Sequence, residues 1–199
     1  IPGATWASGG NLNTARQEGG SAGIQTAALC TGGGNPTAVA VTEQYNGSAW
    51  TEVNDLNSGR KTSWNGFGLS YSAAIFSSGS QPPGTTRVTN NESWDGTNWT
   101  EVNNVNTARN VAASSGSSTS GIGSGGYPAP SYTGATEIWD GTNWTETTDL
   151  NTPRYSCRGA GQSSSLALNI AGYSSTVLAV GEQWNGSSWT EVGDLNTDR

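Results

Sequence analysis

The sequence predicts an all-β fold, a β-propeller of four-stranded antiparallel blades with about four full repeats plus a partial N-terminal one. Three observations carry this expectation. A Trp-to-Arg segment recurs five times at near-constant spacing, an aromatic–turn–Trp segment precedes four of the copies, and no stretch shows sustained 3.6-residue apolar periodicity.

The Trp-to-Arg copies occupy 6–16, 50–60, 99–109, 144–154 and 189–199, at intervals of 44, 49, 45 and 45 residues. The expected organisation is a single domain over 1–199. A partial blade strand lies at 1–16, and blades follow at 17–60, 61–109, 110–154 and 155–199. The second motif reads TEQYNGSAW at 42–50, NESWDGTNW at 91–99, TEIWDGTNW at 136–144 and GEQWNGSSW at 181–189. Its Asn-Gly or Asp-Gly step predicts a tight two-residue hairpin turn with positive φ at both positions. Tyr45, Trp94, Trp139 and Trp184 precede the turn and a Trp follows it, so each hairpin carries two large rings. Between each Arg and the next hairpin lie stretches rich in Gly, Ser and Ala, at 24–34, 69–80, 111–127 and 165–173. They read as the inner strands of each blade, where Gly permits close backbone approach near a crowded axis.

Composition explains why such a core is needed. Leu, Ile, Val and Phe together number 27 of 199 residues, while nine Trp are present and eight of them fall on the two motifs, Trp64 standing outside. Aromatic area takes the place of missing aliphatics. The chain has no His, which excludes His-based metal sites, Ser-His-Asp triads and His acid/base chemistry. Lys61 is the single Lys, and eight cations against fifteen anions give a net charge of −7. That balance argues against nucleic-acid binding, which needs clustered Lys and Arg. No apolar run approaches the roughly 18 residues of a membrane span.

With these motifs in place the chain resembles the Kelch-repeat β-propellers. The matching features are a glycine pair after the second strand, an aromatic closing the third, and a Trp in the fourth with an Arg ten positions on. The glycine feature is read here as Gly33-Gly34, Ser78-Gly79, Gly125-Gly126 and Ala171-Gly172, with the Ser-Gly variant placing the packing of the second blade in question. The family's copper oxidase uses His, so that activity does not carry over. The WDGTNW segments also differ from the Asp-box turns of sialidase propellers, because Asp and Gly are adjacent. Five Trp-to-Arg copies against four hairpins leave three arrangements: truncation of a longer chain, which the absent Met favours, a closed four-bladed ring, or a homo-oligomer formed by exchange of the spare strand around Thr5 to Ser8.

The repeated carboxylates (Glu43, Glu92, Glu137 and Glu182, with Glu52, Glu101, Glu146, Glu191, Asp55, Asp149 and Asp194) lack calcium-loop spacing and read as blade-edge charges that discourage sheet association. The Arg at 16, 60, 109, 154 and 199 read as structural donors to loop carbonyls between blades. Cys30 and Cys157 are either one disulfide or two free thiols. Asn46, Asn91, Asn98, Asn143 and Asn185 match N-x-S/T, a glycosylation signal only in a secreted eukaryotic protein. No catalytic residue, metal site or cofactor is expected. What varies between repeats is the loop after the glycine feature, and loops on a rigid scaffold are where binding resides. Arg87, Tyr127 and Tyr132 are the binding candidates.

The expected function is a non-catalytic structural or adhesive module that binds a protein partner or a surface glycan. Its Ser/Thr/Asn/Gly-rich, Lys-poor character suits a virion or extracellular setting. The repeats resemble Kelch-like repeats of bacteriophage structural or tail proteins. Two alternatives stand beside this one: a secreted carbohydrate-binding module, and a propeller fragment of a larger hydrolase or lyase.

Overall fold

The computed structural model describes residues 9–61, 66–82, 86–110 and 113–198. The expected strand around Thr5 to Ser8 lies outside them, as do Trp6, Trp64 and Arg199. The chain forms four four-stranded antiparallel sheets arranged as a four-bladed β-propeller, and no α-helix occurs among the described residues. Consequently no helix is long and apolar enough to cross a membrane.

Blade 1 runs β1 (Gly20–Ile24), β2 (Ala27–Thr31), β3 (Thr42–Tyr45) and β4 (Trp50–Val53). Blade 2 uses β5 (Gly66–Ser70) and β6 (Ala73–Ser77), then a small two-stranded ribbon of β7 (Ser80–Gln81) and β8 (Thr86–Arg87), then β9 (Asn91–Trp94) and β10 (Trp99–Val102). Blade 3 is β11 (Ala113–Ser117), β12 (Ser120–Ser124), β13 (Thr136–Trp139) and β14 (Trp144–Thr147). Blade 4 is β15 (Arg158–Ser163), β16 (Leu166–Ile170), β17 (Gly181–Trp184) and β18 (Trp189–Val192).

The outer hairpin is looser than the two-residue turn the sequence suggests. Tyr45 pairs with Trp50, and likewise Trp94 with Trp99, Trp139 with Trp144 and Trp184 with Trp189, so each loop holds four residues. Only its Gly has positive φ, from 94° to 98° at Gly47, Gly96, Gly141 and Gly186. The preceding Asn or Asp instead closes the loop with its side chain. Asp95 Oδ1 accepts the backbone N–H groups of Thr97 and Asn98 at 2.8 and 2.7 Å. Those backbone donors hold the Asp95 carboxyl below the usual range, and Asp140 is held down by Asn143 and Thr142 in the same way. The paired rings lie 5.0–5.5 Å apart at tilted angles, a favourable aromatic geometry.

The glycine feature shifts by one residue in blade 1. Gly33, Gly79, Gly126 and Gly172 are the equivalent second positions: the first three donate to the carbonyls of Arg60, Arg109 and Arg154. The pair there is therefore Gly32-Gly33, not Gly33-Gly34. All four first positions (Gly32, Ser78, Gly125, Ala171) have φ between 61° and 72°, so Ser78 and Ala171 accept the left-handed region that Gly occupies elsewhere. Ser78 gains in return, because its hydroxyl donates to the Arg109 carbonyl.

Successive blades pack by one rule. The middle residue of the second strand (Leu29, Ile75 or Ile122) presses forward on the two Trp of the next blade, and the linker's Leu56, Val105 or Leu150 wedges beside them. The ion pairs follow the same rule. Arg60 reaches Glu92, Arg109 reaches Glu137 at 2.9 Å, Arg154 reaches Glu182, and Arg16 reaches Glu43, with every one of these side chains at most 1% exposed. In each joint an Asn three residues before the Arg grips the same Glu: Asn57 donates N and Nδ2 to Glu92 Oε2, both at 2.8 Å, and Nδ2 also to the Trp99 carbonyl. Glu43, Glu92, Glu137 and Glu182 are thus the buried receptors of a clasp from the preceding linker, and not blade-edge charges. Burial pulls the Arg60 and Arg109 guanidinium groups down from their usual range while the facing Glu opposes that shift. Glu52, Glu101, Glu146 and Glu191 do stand exposed on the outer strands.

The inner strands pack β1 on β5, β5 on β11 and β11 on β15. Glycine makes this approach feasible: a Cβ on Gly66 would sit 2.6 Å from the Ser21 carbonyl oxygen. Among the described residues no comparable packing joins β15 back to β1, so the ring has an open seam between blades 4 and 1.

Candidate functional site

One end of the propeller carries the loops that vary. There the residue after each Arg pairs with the residue after each glycine feature, giving Gln17 with Gly34, Lys61 with Ser80, Asn110 with Tyr127 and Tyr155 with Tyr173. The small ribbon β7–β8 stands at the same end and delivers Arg87. Ser80 Oγ bonds Asn110 Oδ1 at 2.8 Å and ties the blade 2 loop to blade 3.

These positions bring the three sequence candidates into one cluster. Arg87 Nε donates to the Tyr127 carbonyl at 2.8 Å, and its guanidinium carbon lies 4.7 Å from the Tyr127 ring centroid. That is cation–π distance. Tyr127 meets Tyr155 at 5.6 Å between centroids, and Tyr132 stacks on Tyr155 at 6.4 Å with planes 26° apart. Tyr155 then meets Tyr173 at 5.5 Å in an edge-on contact. The result is a continuous row from Arg87 through Tyr127 and Tyr155 to Tyr173, with Tyr132 flanking it, spanning blades 2, 3 and 4. Tyr173 is exposed and the other four members are half-buried. The Tyr127 hydroxyl donates to the Pro130 carbonyl at 3.1 Å, which fixes the proline-bearing loop against the ring.

Tyr155 and Tyr173 are the members that loop comparison misses. The signal was available: Tyr173 stands in the same repeat position as Tyr127, and Tyr155 directly follows Arg154. Such a row offers flat π-faces and phenolic hydroxyls beside one cation, which suits ligands with both C–H faces and polar groups.

The propeller axis is chemically plain. The four inner strands surround a cavity of about 430 Å³ lined largely by Gly, Ser and Ala, including Ser21, Gly66, Ser114, Gly116 and Gly161. Among the described residues no three His, Cys, Asp or Glu side chains converge. Both thiols are free, and burial raises Cys157 above its ordinary value against the pull of Arg154. Compared with protein-family models and with curated proteins, the chain matches none.

Proposed function

We propose that this chain is a non-catalytic structural and adhesive module, using the Tyr-rich end of the propeller to hold a protein partner or a surface glycan. The observation that carries the reading is the row Arg87–Tyr127–Tyr155–Tyr173 with Tyr132 beside it, built on the loops that differ between blades. A rigid scaffold whose loops of differing length and content gather at one end suits recognition. A virion or extracellular setting, and membership of the Kelch-like repeats of bacteriophage structural or tail proteins, are proposed on motif style and composition.

The glycan form of the reading has its own support, because the exposed Tyr173 ends the row with an aromatic surface on which a sugar ring can pack. Screening the chain on a glycan array, followed by titration calorimetry on the best ligand, tests it. Tyr173→Ala and Arg87→Ala are expected to weaken binding at least about tenfold, which is about 1.4 kcal/mol. Unchanged affinity in the combined Arg87→Ala, Tyr127→Ala, Tyr132→Ala and Tyr173→Ala variant would remove this face from the function.

A further inference from the structure

We infer that the forward face of blade 4 is a docking surface for blade 1 of a second copy of this chain. Three joints inside the molecule show what such a face is for. Leu29, Ile75 and Ile122 hold one repeat position and are 1%, 1% and 2% exposed, each covered by the Trp pair of the following blade. Leu168 holds the same position in blade 4 and is 38% exposed, with Leu166 on the same side at 60%. The linker residue tells the same story. Leu56, Val105 and Leu150 are each 4% exposed, whereas Leu195 is only half-buried although its N–H donates to Ala179 as its counterparts donate to Ala40, Thr89 and Gly134.

A hollow marks the place of the absent neighbour. Ser156, Arg158, Ile170, Ala171 and Leu195 line a cavity of about 440 Å³. Ile170 is the counterpart of Ser124, and in the joint between blades 3 and 4 Ser124 is met by Asn169 of the following blade at 2.8 Å.

The complementary half of the joint is at the other end of the same chain. Ala28, Tyr45 and Trp50 are half-buried, while their counterparts Ala74, Trp94 and Trp99 are 1%, 1% and 6% exposed under blade 1. Forward apolar face and rearward aromatic face are thus both present and both underused, which defines a head-to-tail, heterologous contact between copies. The joint lacks two features of the internal ones. Glu43 is already gripped by Asn13 and Arg16, so Asn196 has no receptor there. Gly181 stands where Thr42 and Thr136 receive the Trp99 and Trp189 indoles. Association through this face is therefore apolar, concentration-dependent and weaker than the internal joints.

Sedimentation velocity on the full chain over a concentration series tests this, with two blocked variants. Leu168→Glu blocks the forward face at an exposed position, and Ala28→Glu blocks the rearward one, with Trp50→Ser as a second rearward variant should Ala28→Glu lose its circular dichroism spectrum. The unmodified chain is expected to self-associate, and each variant alone to dissociate at least about tenfold more readily. Mixed, a forward-blocked and a rearward-blocked variant retain one open face each and are expected to form a 1:1 dimer. A chain that stays monomeric at every concentration, or folded variants that fail to pair on mixing, overturns the inference.

Discussion

Replacing Glu182 by Ala removes the receptor of the clasp between blades 3 and 4. In the intact joint Glu182 accepts the Asn151 N–H and Nδ2–H at 2.8 Å each, the Thr152 N–H at 3.2 Å, and the Arg154 guanidinium. Without it, Arg154 keeps neutral acceptors only, the carbonyls of Thr152 and Asn169 and the Asn169 side-chain oxygen at 3.0–3.2 Å. A guanidinium that is 0% exposed then has no counter-charge. Breaking a buried pair on one side costs about 3–5 kcal/mol. With a urea slope of about 2 kcal/mol per molar, the midpoint moves down by roughly 1.5–2.5 M. The assay is urea unfolding followed by Trp fluorescence, with Glu191→Ala on the exposed outer strand as the control, expected within about 0.5 kcal/mol of the parent. A double cycle with Arg154→Met should give a combined loss smaller than the sum, since the residues share one joint. Should Glu182→Ala and Glu191→Ala prove equally mild, the clasp does not hold the blades together and the reasoning fails.

Other outcomes follow from the same geometry. Burial opposes the charge on Glu43, but hydrogen bonds from Arg16, Asn13 and Thr14 outweigh it and hold its pKa below the usual range. A carboxylate whose folded pKa is lowered contributes stability above its unfolded value, near 4.3, and loses it as pH falls through the folded one. Acid titration of blade 1 fluorescence should therefore show destabilisation beginning below about pH 4.3, and Arg16→Ala should shrink that pH-dependent contribution. Gly66→Val forces side-chain atoms onto the Ser21 backbone at the inner-strand crossing, and calorimetry should register a loss of about 1–3 kcal/mol. Gly141→Ala places a side chain at φ +96°, with an expected cost of about 1 kcal/mol by urea unfolding. Cys157, fully buried and with its thiol pushed up, should resist maleimide labelling until urea unfolds blade 4. Labelling at the native-state rate of a free thiol contradicts that burial.

The architecture is legible in the sequence because every repeat states it again. Five Trp-to-Arg copies and four hairpins define four strands per blade and the aromatic core, whereas the ribbon β7–β8 inside blade 2 has no counterpart in the other repeats. What the repeat hides is partner assignment. Glu43, Glu92, Glu137 and Glu182 look like surface charges, since the Arg that neutralises each lies 27 to 32 residues upstream, in the linker of the previous unit. The turn type escaped for a similar reason: Asn-Gly and Asp-Gly fit a two-residue hairpin, and only the side-chain cap on the backbone decides for a four-residue loop. Arg87, Tyr127 and Tyr132 were visible as departures from the repeat. Tyr155 and Tyr173 sit at readable repeat positions, but their meeting with Tyr127 depends on how blade 4 leans against blade 3.

The order of the clasp along the chain also bears on how the protein is made. Each Arg precedes its Glu by roughly thirty residues, so the gripping half emerges from the ribosome before the half it grips. At synthesis rates of about 5–20 residues per second, the delay is roughly 1.5–6 s. Blades 2, 3 and 4 each follow a neighbour whose linker carries the Asn and Arg for their third strand, and blade 1 follows the segment that carries Asn13 and Arg16. The order of the clasp therefore matches an assembly that would proceed one blade at a time in the direction of translation.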